Sequence, residues 1–248
     1  MKNKLSKAGV LILFLTSIFS LNAQKNIKIQ KVTDEIVYVY DGFENNSLKE
    51  DSGIGWNGTW KYEKGNSLTF NKKSLKYDSK NFTSNGGSIE SESTNRSTII
   101  RSLKDTYALK GSNFYTSFLI KKDNKASFEF KGFGKKHFRY GLKISPEGSV
   151  TIRNSANWGK ASKNGIIEDN STYLVVLYKR GASYKVAVYK DGDKIPKNPR
   201  RITWAIEERS VSGVNLDKFE FELSGGSITI DEFRLGNTFN SVTTSLIN

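Results

Sequence analysis

Along much of its length this chain alternates apolar and polar residues with a period of two, and that pattern restricts it to β-strands. The alternation runs through 115–121, 127–131, 149–153, 173–178, 184–190, 218–223 and 227–231. Successive side chains of a strand point to opposite faces, so each segment offers one face to a core and the other to water. The segments are rich in β-branched and aromatic residues and bounded by Gly, Asn, Asp and Ser, as strands and their turns require. Gly-containing turns at 180–183 and 224–226 predict two hairpins. The run 194–199 contains Pro196 and Pro199 and reads as an extended loop, because proline cannot donate to a sheet ladder. No stretch sustains a 3.6-residue period; 202–209 is the one candidate for a helical turn or two. Many short antiparallel strands over this length predict an all-β, two-sheet antiparallel sandwich with a core about 10 Å thick.

The N-terminus bears on compartment. Lys2, Lys4 and Lys7 precede an apolar run over 8–19, followed by short residues up to Ala23. This is the layout of a secretory signal peptide, and the run is shorter than the ~20 residues of a membrane span. Cleavage after Ala23 leaves 225 of the 248 residues. The expected organisation is signal peptide 1–23, lead-in 24–36, sandwich domain 37–242 and a loosely held tail 243–248. The expected location is outside the inner membrane, with no membrane span in the mature form. Cys is absent and His137 is the single histidine, which excludes disulfides, thiolate zinc sites and multi-His metal centres. The net charge is +14, and +11 without the three leader lysines. Such a surface attracts polyanions; for an exported chain that means acidic polysaccharide or cell-surface glycan rather than nucleic acid.

A family resemblance rests on particular segments. They are 40–44 (Tyr-Asp-Gly-Phe-Glu), 53–60 (Gly-Ile-Gly-Trp-Asn-Gly-Thr-Trp), 74–77, 95–103, 115–119, 155–159 and 230–239 (Ile-Asp-Glu-Phe-Arg-Leu-Gly-Asn-Thr-Phe). In this order they resemble the LamG-like jelly rolls of exported bacterial proteins, within the concanavalin A-like lectin/glucanase superfamily. The resemblance spans about 38–242 and implies a concanavalin A-like jelly roll. That superfamily holds lectins, adhesion domains, glycoside hydrolases and polysaccharide lyases, so it does not by itself assign an activity. The Glu-x-Asp-x-x-Glu strand of its glucanases is missing: Glu90/Glu92 and Glu220/Glu222 lack a third acid. The Arg-x-Glu-x-Arg strand of its alginate lyases is missing too.

Several residues are candidates for binding. Trp56 and Trp60 flank a Gly-rich loop and Trp158 lies in a turn-like segment; an exposed indole stacks on the apolar face of a sugar, while a buried one closes the sandwich. Within 131–140, Lys136 and Arg139 are suited to hold sulfate or carboxylate, Arg as a bidentate fork. If the chain is a lyase, His137 and Tyr140 supply base and acid for β-elimination while Arg139 neutralises the uronate carboxylate; otherwise the segment is a solvated basic edge. Lys194, Lys197, Arg200 and Arg201 crowd one loop as an accessory anion contact. Asp41, Glu44 and Asp231 mark where jelly rolls tie their terminal strands with calcium, unless the acids pair with nearby Lys or Arg; no cofactor is otherwise required. The leading expectation is a secreted glycan-binding or adhesion-like jelly roll favouring sulfated or uronate polysaccharide. The alternatives are a polysaccharide lyase and a structural envelope or matrix protein.

Overall fold

The computed structural model describes residues 35–44, 48, 51–79, 81–92, 94–108, 113–134, 138–154, 157–209 and 215–246, with backbone only for 108, 138–140, 154, 157 and 158. The expected signal peptide and residues 24–34 of the lead-in lie outside the described residues. The strands run β1 (Val37–Asp41), β2 (Trp56–Lys64), β3 (Leu68–Asn71), β4 (Ser88–Ser91) and β5 (Ser97–Ala108). They continue as β6 (Phe114–Lys122), β7 (Ser127–Phe133), β8 (Phe138–Ile144), β9 (Val150–Asn154) and β10 (Asn157–Ala161). The last are β11 (Tyr173–Arg180), β12 (Ser183–Lys190), β13 (Ile206–Arg209), β14 (Asn215–Ser224) and β15 (Ile228–Gly236).

These build two antiparallel sheets. The eight-stranded sheet has the order β13-β12-β11-β6-β15-β4-β3, with β1 also paired to β15; the seven-stranded sheet has the order β10-β9-β8-β7-β14-β5-β2. Between them lies an aromatic core that includes Phe118, Phe128, Phe130, Phe219, Phe221 and Phe233. Its rings meet at close range, Phe130 to Phe219 at 5.3 Å and Phe219 to Phe233 at 5.1 Å, adding specific ring contacts to the burial of apolar area.

The larger sheet is covered on its outer face as well. Leu119, Leu174, Val176, Ala187 and Tyr189 pack there against Tyr77, Phe82, Ile195, Ile202, Phe239 and Val242. Residues 173–177 of β11 are consequently buried without a break. The expectation of one wet face fails for this sheet because two loops and a short helix lie on it. That helix, α1 (Phe239–Thr243), has a Thr238/Ser241 capping box and buries Phe239 and Val242. The segment expected as a loose tail is thus held as far as Ser245, whose amide donates to the Asn81 carbonyl at 2.7 Å.

Two further expectations need correction. The turn at 180–183 does close a hairpin, β11 to β12, with Gly181 at φ 52°. The turn at 224–226 does not: β14 belongs to the smaller sheet and β15 to the larger, so the chain arches across the core. A second arch beside it takes β6 to β7, and Asp123 ties the two. Its carboxylate accepts from the amides of Lys125, Ala126 and Ser227, each at 2.9 Å, and these bonds hold its pKa below the usual carboxylate range against the opposing effect of burial. Second, 202–209 is no helix: a 3-10 turn occupies Pro199–Arg201 and Ile206–Arg209 is β13.

β15 changes partner midway. Ile228–Ile230 pair with β4 and Phe233–Gly236 pair with β1. At the switch, Glu232 takes φ +54°, a conformation uncommon for a residue with a Cβ. At the rim of the sandwich, side chains bond to backbone across the gap between sheets. Tyr62 of β2 reaches Leu68 of β3, and Glu208 of β13 accepts from the Lys160 amide of β10. Among the described residues, no helix is long and apolar enough to cross a membrane.

Candidate functional site

The tryptophans of the Gly-rich loop are core residues. Trp56 and Trp60 are 6% and 4% exposed. Their indoles lie 5.2 Å apart, and Trp60 sits 4.8 Å from Phe221. Trp56 Nε1 donates to the Tyr40 carbonyl at 3.0 Å and Trp60 Nε1 to Asp41 Oδ2 at 2.8 Å. Neither ring is open to a sugar. The glycines serve close approach: at Gly53 and Gly55, with φ +83° and +79°, a Cβ would collide with the carbonyls of Tyr40 and Tyr38.

The acids expected near calcium are held by other groups. Asp41 is buried, and Arg101 Nη1 donates to it at 2.6 Å, joined by Trp60 and the Phe43 amide. Burial pushes its pKa up, while Arg101 and these hydrogen bonds oppose the rise. Asp231 is 0% exposed. Its two oxygens accept from the amides of Leu75 and Glu232, at 2.8 and 2.6 Å. Arg234 donates to Glu232 at 2.6 Å beside it. Arg101 therefore pairs with Asp41, backbone amides engage both oxygens of Asp231, and Glu44 is exposed. Among the described residues, no group of three or more His, Cys, Asp or Glu is arranged to hold a metal ion.

The basic-aromatic segment 131–140 divides. Lys136 and His137 lie outside the described residues; Arg139 and Tyr140 lie in β8, with Tyr140 paired to Gly132, and their side chains are outside the description. Trp158 likewise contributes only its backbone, paired to Arg153 in β10. Lys131 sits at the centre of the smaller sheet's outer face, 7% exposed. It donates to Glu220 at 2.8 Å and Glu222 at 2.7 Å, with Glu129 at 3.3 Å. The third acid missing from the sequence pattern thus arrives from β7. Lys131 holds the cluster as an ion-paired unit, and its own pKa is raised because these hydrogen bonds outweigh desolvation.

The loop 191–205 is the exposed feature that gathers sequence candidates. Asp191 N bonds to Thr172 O at 2.9 Å and Ala205 N to Val186 O at 2.8 Å, pinning both ends. Ile195 and Ile202 anchor the middle in the outer-face cluster, and Asn198 caps the 3-10 turn by accepting from the Arg200 amide. Between this loop and Asp78, Ser79 and Asn81 lies a cleft of about 770 Å³, lined also by Lys194, Lys197, Arg201, Asp193 and Ile195. All three cations are exposed, and none forms a salt bridge among the described residues. Of the acids, Asp193 accepts from the Lys190 amide at 2.7 Å. Arg200 is exposed on the neighbouring 3-10 turn, outside the cleft lining.

Sequence reasoning passed over Trp204. It lies on this loop, partly exposed, with its ring 5.8 Å from Tyr178 and Lys185 Nζ 5.6 Å from its centre. Its position in 202–209 made it look like part of a helical turn. The usable signal was an indole only a few residues beyond a cationic loop.

No protein-family model matches the chain, and no curated protein matches it. Among solved structures it is similar to a protein of unknown function from Shewanella oneidensis MR-1, at 13% identity and a TM-score of 0.50, over 87% of this chain and 90% of that one. It also matches a sialidase at 11% identity and a TM-score of 0.47, over 73% of this chain but only 17% of the sialidase. The carbohydrate recognition domain of Emp47p matches at 14% identity and a TM-score of 0.41, over 70% of this chain and 89% of that domain. At such identities the likeness concerns architecture alone. The chain is an all-β, two-sheet antiparallel jelly-roll sandwich.

Proposed function

We propose that this chain is a secreted glycan-binding jelly roll of the LamG-like branch, exported by its leader 1–23, and that it takes acidic polysaccharide through the cleft between Asp78, Ser79 and Asn81 on one side and 192–201 on the other. The observation that carries this reading is the set Lys194, Lys197 and Arg201: three exposed cations on one anchored cleft, with no salt bridge to a carboxylate among the described residues. By contrast, three buried bases are committed to carboxylates: Arg101 to Asp41, Arg234 to Glu232 and Lys131 to its glutamates. Sulfate or uronate groups repeated along a polymer suit such a site, with Arg201 offering a planar fork and the lysines point charges. The net charge of +11 left without the three leader lysines steers anionic chains toward it over a Debye length of about 8–10 Å. The LamG-like reading is supported by the pairing of β1 with β15, which brings the segments 40–44 and 230–239 side by side.

The test is binding of the mature protein to immobilised heparin and to alginate from low to high salt. Binding is expected to weaken steeply with salt and to fall about tenfold or more when Lys194, Lys197 and Arg201 are all changed to Gln. Absence of binding to either polymer at low ionic strength refutes the reading.

A further inference from the structure

Loop 191–205 does more than line one side of the cleft. Three residues beyond Arg201 it presents Trp204, the one tryptophan with a described side chain that is not buried in the core. The ring rests on a graded aromatic base: Tyr178 lies 5.8 Å away at an interplanar angle of 32°, and Tyr178 lies 4.8 Å from Tyr115. The base is fixed, because Tyr115 is buried and Tyr178 Oη donates to Asn113 Oδ1 at 3.3 Å. Polar groups adjoin it: Lys185 Nζ lies over the ring, 5.6 Å from its centre, and is itself paired to Glu207 at 2.7 Å. A partly exposed indole with a cation over it and a carboxylate beside that cation offers apolar surface and hydrogen-bonding partners together, which suits the C–H face and hydroxyl rim of a pyranose.

Placement makes this ledge continuous with the cleft. Arg201 and Trp204 are separated by two residues, so their Cα atoms lie within about 11 Å even if the chain is fully extended. Both Ile202, which intervenes, and Trp204 pack on the same outer-face cluster. The two features therefore share one pinned segment on one face of the larger sheet.

We propose that Trp204, with the neighbouring Lys185, is a sugar-stacking subsite that extends the basic cleft, so that the ligand is a polyanionic polysaccharide chain lying along loop 191–205 and not a single charged sugar. This rests on the cleft reading given above and adds to it a length requirement. The acidic groups engage Lys194, Lys197 and Arg201, and a neighbouring sugar ring of the same chain stacks on Trp204. Affinity then rises with chain length until both subsites are filled, since the second contact is intramolecular once the first has formed.

The experiment is titration of size-graded heparin oligosaccharides, from disaccharide to dodecasaccharide, against the full mature chain. Variants are Trp204→Ala, Trp204→Phe, Lys185→Gln and the triple cleft variant. The wild type is expected to bind long fragments roughly five- to tenfold more tightly than the shortest binding fragment. Trp204→Ala is expected to lose that gain while binding the short fragment unchanged; Trp204→Phe keeps most of it. Should Trp204→Ala fail to fold, Lys185→Gln reads the same gain from the neighbouring cation, where a partial loss confined to long fragments is expected. If Trp204→Ala, or Lys185→Gln in its place, follows the wild type at every length while the triple variant loses binding, the ledge is refuted and the cleft stands. If the wild type binds no fragment at low salt, both are refuted.

Discussion

The phenolic oxygen of Tyr62 makes two bonds to a single residue, donating to the Leu68 carbonyl at 3.3 Å and accepting from the Leu68 amide at 3.2 Å. Tyr62 belongs to the smaller sheet and Leu68 to the larger, so one hydroxyl does at this rim what a strand partner would do. At the opposite rim Glu208 plays the corresponding part for the Lys160 amide. Unpaired backbone at a sheet edge is a template for association, and both rims are blunted by side chains.

Changing Tyr62 to Phe removes those bonds and little else. Tyr62 is 37% exposed, so water replaces part of what is lost. The expected cost is about 0.5–1 kcal/mol, with faster hydrogen exchange at the Leu68 amide. Exchange at Leu68 unchanged from the wild type would show that the phenol does not protect this edge.

The Arg101–Asp41 pair makes a larger demand. Both side chains are buried, and Arg101 also donates to the carbonyls of Gly58 and Ser52. Arg101→Met leaves Asp41 enclosed without its countercharge, and about 3–5 kcal/mol of stability is expected to be lost. Adding Asp41→Asn to Arg101→Met should cost much less than the sum of the single changes, a coupling measurable by urea denaturation of all four forms.

Asp231 gives the fold a pH dependence of unusual sign. Desolvation, reinforced by the neighbouring Glu232, pushes its pKa up to about 9. The unfolded chain releases this proton near the ordinary value of about 4. Between those values the folded state binds more protons than the unfolded state, so this group's contribution is complete below about pH 4 and declines as pH rises toward 9. Asp231→Asn should abolish that decline. The variant starts from lower stability because Asn offers one acceptor to the amides of Leu75 and Glu232, so the slope of urea midpoint against pH is the diagnostic. A slope identical to that of the wild type would count against a protonated Asp231.

Lys179 works in the opposite direction. It is 1% exposed, with Nζ 5.6 Å from the centre of the Tyr184 ring, and desolvation lowers its pKa to about 8. From there to the ordinary lysine value of about 10.4 the unfolded chain binds the extra proton, so its contribution to stability increases with pH across that window. Lys179→Met should remove the increase. Urea midpoints at pH 7 and pH 10 for the two proteins decide it.

The parts of the fold that local pattern foretells are the long alternating strands β6, β7, β9, β11, β12, β14 and β15. The short strands β1, β3 and β4 and the Gly-containing β2 carry too few alternations to stand out from loops. The turn at 224–226 was misread for a physical reason: a Gly-Gly turn suits both a hairpin and an arch, and only the distant pairing of β14 with β7 and of β15 with β6 decides between them. The burial of Trp56 and Trp60 was hidden likewise, because glycines that let a loop lie against β1 look the same in sequence as glycines that expose an indole. At the candidate site, Lys194, Lys197 and Arg201 could be named from charge on a proline-containing loop. The part played by Asp78, Ser79 and Asn81 depends on contact across more than a hundred residues and left no local mark.

The position of β15 governs how this chain can be assembled as it is synthesised. The final strand is also the hub of the larger sheet, joining β6 on one side to β4 and β1 on the other. Until residues 228–236 emerge, β1, β3 and β4 have no route of hydrogen bonds to the other strands of that sheet. The larger sheet therefore completes only once residues 228–236 are made, with the slow kinetics typical of distant pairings. A stop just upstream of Ile228 would leave the larger sheet in three disconnected pieces, β13-β12-β11-β6, β4-β3 and β1, not a smaller version of the domain.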